Sequence, residues 1–368
     1  MQLSESELLH ILALMKAKNI GPISAKKLLQ AVGSAEALFK EKKANLLKIK
    51  GVSPAKLKDL FEPNLMILAE KELKFIENNA IQILYYRSEA YPYLLKQCID
   101  SPLILFQKGT HRWNQMKSLS IVGTRKMTRM GADFLEKLFE TLSALPVLIV
   151  SGFAAGVDIK AHRLAIEYNL PTVAVLAHGL NQYYPTNHKA YAANLMQSGA
   201  FISDFFTSDE FNRENFLSRN RIIAGLSEAT LVVESAEKGG SLVTAQMAFD
   251  YNRQVFAVPG RTTDLYSTGC NNLIKQQKAA LVESAADIIY QLGWDIEEKP
   301  KPIQQQLFVE LTEPEERLIN TLKETQKEHI DVLVRQSGIS AREVAGLLLS
   351  LELKGLVRPL PGKFFELI

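Results

Sequence analysis

Ser120-Ile121-Val122-Gly123-Thr124-Arg125 leads through a helical stretch, residues 131–142, into Val147-Leu148-Ile149-Val150. That second run ends at Ser151-Gly152-Phe153-Ala154-Ala155-Gly156-Val157-Asp158. Short, continuous, β-branched apolar runs suit strands covered on both faces, and a helix between two of them makes their pairing parallel. The alternation goes on. Residues 173–176, 201–202, 231–233 and 255–258 read as further strands, and residues 158–168 and 241–251 as helices. The pattern predicts an α/β fold with a doubly wound, Rossmann-like sheet, whose ligand sits at the carboxyl ends of the strands.

Outward from this centre the pattern changes on both sides. Residues 1–82 read as a helical domain with two similar stretches, Asn19-Ile20-Gly21-Pro22-Ile23 before Ala25-Lys26-Lys27, and Lys50-Gly51-Val52-Ser53 before Ala55-Lys56-Leu57. A glycine turn ahead of a lysine-bearing helix fits a helix-hairpin-helix pair, in which helix-start amides meet a phosphate. It fits equally two αα-hairpins of a small bundle. Residues 83–294 make up the Rossmann-like domain, and residues 295–312, charged and proline-bearing, read as a linker. Residues 313–368 hold three helical stretches (313–323, 329–336 and 340–353, the last capped by Ser340) and a terminal hairpin, the outline of a winged helix. Its third helix is weakly charged around Arg342 and Glu343, so a protein-docking role stands beside a DNA-binding one.

The bulk numbers set the frame. A chain of 368 residues with 47% hydrophobic and 23% charged residues is ordinary globular material for two or three domains. Its formal net charge of +3 points to no partner, so a nucleic-acid reading needs local clustering of cations. Cys98 and Cys270 have no thiol or histidine at ligand spacing, which argues against a disulfide framework or a zinc site. The amphipathic start, MQLSESELLH, is no signal peptide and no run reaches the ~18 apolar residues of a membrane span, so a cytoplasmic address is expected.

The turns after the strands carry the chemistry. In the first, Arg125 beside Gly123 supplies a fork for a phosphate. Dinucleotide spacing is missing, since the next glycine is Gly131, and no G-K-[ST] follows, so NAD and ATP enzymes are disfavoured. In the second turn Ser151 and Gly152 are ligand candidates, Asp158 caps its own helix, and His162 packs rather than catalyses. The richest stretch is Arg213-Glu214-Asn215-Phe216-Leu217-Ser218-Arg219-Asn220-Arg221, ahead of the apolar Ile222-Ile223-Ala224. Arginine forks around a phenylalanine offer both phosphate contacts and a stacking face for a base. Lys238-Gly239-Gly240-Ser241 then places two glycines before a helix, with Ser241 as N-cap and possible phosphate donor. No carboxylate pair, Ser-His-Asp order or metal-ligand cluster accompanies these turns, so neither catalysis, nor a metal, nor a cofactor is expected.

In this order, SIVGTR, SGFAAGVD, HGLNQYYP, NFLSRNRIIAGLS, LVVESAEKGGSLVTAQMA and VFAVPG followed by STGCNNLI resemble the successive blocks of the DprA/Smf family, over residues 91–292. The resemblance implies an extended Rossmann fold that binds single-stranded DNA and delivers it to a RecA-type recombinase in natural transformation. It also implies a homodimer through this domain. Carried over by position, the DNA pocket would use Arg125, Ser151, Gly152, Phe216, Arg219, Asn220, Arg221, Gly239, Gly240 and Ser241. Three positions depart from the family pattern: Ala155 stands where a basic residue is common, His178 where a small one is, and Thr186 where a lysine is frequent, with Lys189 a stand-in. The rival is a nucleotide-processing enzyme of the lysine-decarboxylase-like (LOG) class. Its P-G-G-x-G-T signature and following glutamate are not matched by Lys238-Gly239-Gly240-Ser241-Leu242-Val243-Thr244.

Overall fold

The computed structural model describes residues 3–114, 116–294 and 311–367. They fall into two compact units, residues 1–296 and 297–368. The expected linker lies, apart from Leu311 and Thr312, outside the described residues.

The first unit opens with six helices: α1 (Glu5–Lys16), α2 (Pro22–Val32), α3 (Ala35–Lys40), α4 (Lys43–Leu46), α5 (Pro54–Leu60) and α6 (Asn64–Asn78). Several starts have a local cause. Ser4 accepts from the Glu7 amide at 3.2 Å, and Pro22 and Pro54 stand in the first turns of α2 and α5, where no amide proton is missed. Of the lysines in the two glycine-turn stretches, Lys26 and Lys56 are drawn inward, while Lys27 and Lys50 stay exposed. Lys56 donates to Ser24 Oγ (3.0 Å) and the Gly51 carbonyl (3.1 Å), and Lys26 to Ser101 Oγ (2.5 Å). Bonds of this kind favour the αα-hairpin reading over phosphate binding.

Nine strands follow: β1 (Gln82–Tyr85), β2 (Ile104–Gly109), β3 (Lys117–Val122), β4 (Val147–Ser151), β5 (Thr172–Val175), β6 (Gly199–Ser203), β7 (Ala229–Val232), β8 (Gln254–Ala257) and β9 (Ala280–Leu281). Their order is β1-β2-β6-β5-β4-β3-β7-β8-β9. From β6 to β9 every pairing is parallel, while β1 and β2 add an antiparallel edge that the sequence pattern does not reveal. Helices α7 (Tyr93–Lys96), α8 (Arg129–Leu142), α9 (Val157–Glu167), α10 (Ala192–Ser198), α11 (Arg213–Leu226), α12 (Gly240–Asp250), α13 (Thr268–Lys275) and α14 (Ala285–Leu292) connect them.

Strand residues alternate between two cores. Leu119, Ile121, Val147, Ile149 and Leu231 pack against α8, α9 and α14. Val122, Leu148, Val150 and Val232 pack against α11, α12 and α13 on the other face. The doubly wound α/β expectation therefore holds. A third core joins Leu12, Leu28 and Leu73 of the helical segment to Phe106, Phe201 and Phe206, so those helices are continuous with the sheet's edge.

The second unit has α15 (Glu313–Thr325), β10 (Lys327–His329), α16 (Ile330–Ser337), α17 (Ala341–Leu353), β11 (Val357–Leu360) and β12 (Phe364–Leu367). Its sheet runs β10-β12-β11 over a core of Leu318, Leu322, Leu333, Leu348 and Val357. This is the expected winged helix, with Ser340 capping α17 through the Glu343 amide and with one strand, β10, that the hairpin reading missed. Among the described residues no helix is long and apolar enough to cross a membrane.

Buried Glu72 on α6 ties the helices to the loop before α11. Its Oε2 accepts from the Thr207 amide (2.9 Å) and hydroxyl (2.6 Å). Glu72→Ala strips both donors of their partner, which costs about 1–3 kcal/mol. Thermal melting should show a fall of several degrees, and an unchanged midpoint would contradict this tie.

Candidate nucleic-acid interface

Strands β3 and β7 are neighbours, yet the chain leaves β3 for α8 on one face and β7 for α12 on the other. A crevice opens where the two connections part, as it must at a topological switch point. Here it is a cavity of about 760 Å³ lined by the turns after β3, β4 and β7, the start of α12 and one face of α11.

The arginine-rich stretch forms α11, not a turn. Asn212 caps it by accepting from the Asn215 amide at 3.0 Å. Helical spacing then sends its charged residues in different directions. Arg219 and Phe216 face the cavity. Arg221 turns away, bonded to the Asp204 carboxylate and the Asp100 carbonyl, and so joins the loop after α7 to the loop before α11. That corrects its place among the sequence-derived pocket residues.

Arg219 is itself almost wholly buried at 5% exposure. Its guanidinium bonds the Val175 carbonyl, and its Nε reaches Asn220 Oδ1 at 3.3 Å. Asp158 stands nearby, with the α-carbon of Gly152 between the two. A side chain at Gly152 would collide with the Asp158 carboxylate and come within 2.7 Å of the Arg219 guanidinium, so only glycine leaves room for both. Gly152 thus acts from behind the cavity, its carbonyl accepting from His162 Nε2 at 2.5 Å. His162 is buried and its ring is held below its usual range, at about 4, which agrees with a packing role. Ser151 is fully buried and donates to the Ile121 carbonyl at 2.6 Å, so its hydroxyl joins β4 to β3 and lies outside the cavity lining.

At the mouth the charges are differently disposed. Arg125 lies 5.5 Å from the centre of the half-buried Phe216 ring, with Arg219 at 6.0 Å. Phe211 (5.4 Å) and Tyr184 (6.0 Å) complete an aromatic cluster around it. Arg125, Lys126, Arg213 and Lys238 line the cavity and are exposed, and none has a carboxylate partner among the described residues. Unpaired cations round a recess attract an anion, and aromatic faces among them accept a flat ring.

The turn after β7 supplies backbone donors. Gly239, not Ser241, is the N-cap of α12, and it offers no side-chain bond to the first-turn amides. Those amides and the helix dipole face the cavity and suit an anion. Ser241 donates to Ser235 Oγ at 2.9 Å, and Asn220 donates to the Gly240 carbonyl at 3.3 Å, so both brace the turn while lining it. Lys189 is exposed on the 3₁₀ helix Thr186–Tyr191 and does not line the cavity.

The fold thus brings together Arg125, Phe216, Arg219, Asn220, Gly239, Gly240 and Ser241, and leaves Ser151, Gly152, Arg221 and Lys189 out of the cavity lining. Sequence reasoning passed over Lys126, Arg213, Lys238, Tyr184 and Phe211 as site residues. Lys126 and Lys238 adjoin residues already chosen, which was a usable signal. Nothing local marks Tyr184 or Phe211.

A family model described as DNA recombination-mediator protein A matches residues 82–293, and one described as the DprA winged helix domain matches residues 300–363. Protein Smf of Escherichia coli is 36% identical over 305 residues, 81% of this chain and 80% of that protein. DNA processing protein DprA of Bacillus subtilis is 37% identical over 206 residues, 56% of this chain and 69% of that one. The structure of DNA processing protein A from Streptococcus pneumoniae superposes with a TM-score of 0.66 at 27% identity, covering 79% of this chain and 99% of that one. That of Helicobacter pylori, a structure concerned with that protein's single-stranded DNA binding mode, gives a TM-score of 0.50 at 26% identity, covering 58% and 97%.

Burial raises the Asp158 carboxyl from 3.8 to about 6, and Arg219 only partly opposes it. The fold therefore prefers the neutral acid. That contribution is complete below the ordinary value near 3.8 and is lost as pH rises through about 6. Wild type should lose on the order of 3 kcal/mol from this group across that window. Asp158→Asn, neutral throughout, should flatten this part of the curve. Denaturant midpoints measured for both proteins across the window check it, and parallel curves would contradict it.

Proposed function

This chain belongs to the DNA recombination-mediator protein A family, and from that premise we propose that its switch-point cleft binds single-stranded DNA without breaking any bond in it. The observation that carries the reading is the mouth of the cleft. Four cations without carboxylate partners among the described residues, the start of α12 and the Phe216 ring line one cavity, with Arg125 over that ring. Phosphates take the first two groups and an unstacked base takes the third. A duplex keeps its base faces inside the stack, so aromatic faces at the mouth of a recess favour a single strand.

Arg219 serves the same end indirectly. Near Asp158 and bonded to Val175, it supports Phe216, while the exposed Arg125 over the same ring remains available to a phosphate. The absence of catalysis is part of the proposal. A glycosidic-bond enzyme of the rival class needs a carboxylate free to act on substrate. Asp158, the carboxylate lining the main cavity, is enclosed behind Arg219.

The larger role is likewise proposed. In the cytoplasm the protein would act as a homodimer through the Rossmann-like domain, protect incoming single strands and load a RecA-type recombinase on them. Faster nucleation of recombinase filaments on a strand already covered by single-strand-binding protein is the expected result. No acceleration would remove the loading step from the proposal.

Fluorescence anisotropy with a labelled oligothymidine separates the residues. Phe216→Ala should weaken binding by about 1–3 kcal/mol through lost stacking. Arg125→Ala should weaken it and lower the log–log salt slope by about 0.7. Arg221→Ala should lower the melting temperature and leave the affinity of the folded protein near wild type. If Arg221→Ala alone abolished binding while Arg125→Ala and Phe216→Ala did not, the assignment of the cleft would be wrong.

A further inference from the structure

Asp158 is the one carboxylate among the described residues that line the main cleft, where five cations also stand. It sits in the first turn of α9, behind Gly152, and is 7% exposed. Arg219 is near it, yet among the described residues Asp158 makes no ion pair within 4.0 Å. A charged carboxylate in this position works against an anionic ligand. It cancels part of the field of Arg125 and Arg219, and it repels a phosphate held in the same cavity. A neutral carboxyl does neither.

The surroundings single out Asp158 as the group whose charge can change. Arg219 of α11 and Arg125 of the turn after β3 act on it, but burial outweighs both and pushes the carboxyl up to about 6. On its own helix, His162 bonds the Gly152 carbonyl and burial holds its ring at about 4. His178, beyond the end of β5, is buried and held below its usual range by that burial. His188 is buried on the 3₁₀ helix, its Nδ1 3.1 Å from the Phe153 carbonyl. Lys160 of α9 is paired with Glu136 of α8 at 2.6 Å, and Arg163 lies over the Tyr191 ring at 5.5 Å. Strands β4 and β5 and helix α10, which also pack on α9, carry no charged side chain.

Resting on the single-strand reading, we propose that a proton is a second ligand of this cleft: the strand lays its phosphates on the cations, and the protein takes up a proton on Asp158 as the strand arrives. The sign follows from linkage. Negative charge on the strand raises the carboxyl in the complex above its value of about 6 in the free protein. Below that value both states already hold the proton and affinity is level. Above it affinity falls with rising pH, until the complex too has lost its proton. If the strand raises the carboxyl by roughly half to one pH unit, binding is about 2–5-fold tighter at pH 6 than at pH 8.

The test is fluorescence anisotropy with labelled oligothymidine at pH 6, 7 and 8 and constant ionic strength, a strand that does not itself titrate over this range. Wild type is expected to bind roughly 2–5-fold more tightly at pH 6 than at pH 8. Asp158→Asn should lose that dependence and stay near the tighter limit throughout. A wild-type affinity independent of pH would overturn the proton proposal and leave single-strand binding intact. An Asp158→Asn protein with the full wild-type dependence would overturn it too. No binding at any of the three pH values would sink the single-strand reading and this proposal together. Should the variant not fold, calorimetry of the wild-type protein at pH 7 in two buffers of different ionisation enthalpy decides the matter. Uptake of a fraction of a proton is expected, and zero uptake or proton release would overturn the proposal.

Discussion

Two adjacent parallel strands, β3 and β7, send their chains to opposite faces of the sheet, and the gap this leaves cannot be filled by either connection. Right-handed crossovers enforce that divergence. Everything of chemical interest in the first unit is arranged round it. The turn after β3 brings Arg125 and Lys126, the turn after β7 brings Lys238 and the start of α12, and α11 contributes Phe216 and Arg219 to the lining. A cleft of this origin is rigid on three sides, because its walls are the ends of buried strands. Its positive character comes from cations that found no acid, while the acids available, Asp158 and Asp204, were used to settle the buried arginines.

Burial divides the arginines into two kinds. Arg219 and Arg221 sit two positions apart on one helix and are both largely buried, yet neither is a simple phosphate contact. One props the stacking ring and the other braces the loops. Arg125, exposed and stacked over the Phe216 ring, has no ion-pair partner among the described residues and lines the cavity. Among residues of identical chemistry, partnership decides which are left for a ligand.

How much of this was legible in the sequence follows from the range of the interactions. Strands β3 to β8 stood out because a strand buried on both faces must be continuously apolar, and Val147-Leu148-Ile149-Val150 can hardly be anything else. Strands β1 and β2 did not, since Gln82-Ile83-Leu84-Tyr85 follows the end of α6 with a turn made by Ala80 at φ 50 instead of by a glycine or proline. The glycine turns gave the location of the cleft. They could not give the direction of each side chain, which is why Ser151 and Arg221 were placed in it. Ser151 is committed to Ile121 thirty residues away, and Arg221 to Asp204 and Asp100, contacts that only the assembled sheet creates. Tyr184 and Phe211 reach the site for the same long-range reason. The family resemblance supplied the blocks but not these local commitments.

The most direct test of the central claim is photo-crosslinking of an oligonucleotide bearing 4-thiothymidine, with the attached peptides identified by mass spectrometry. Crosslinks concentrated on the segments around Arg125, Tyr184 and Phe211–Phe216 are the result predicted for a single strand held at the switch point. Crosslinks confined to the winged-helix unit, or to the α2 and α5 turns, would contradict it and move the DNA to another surface of the protein.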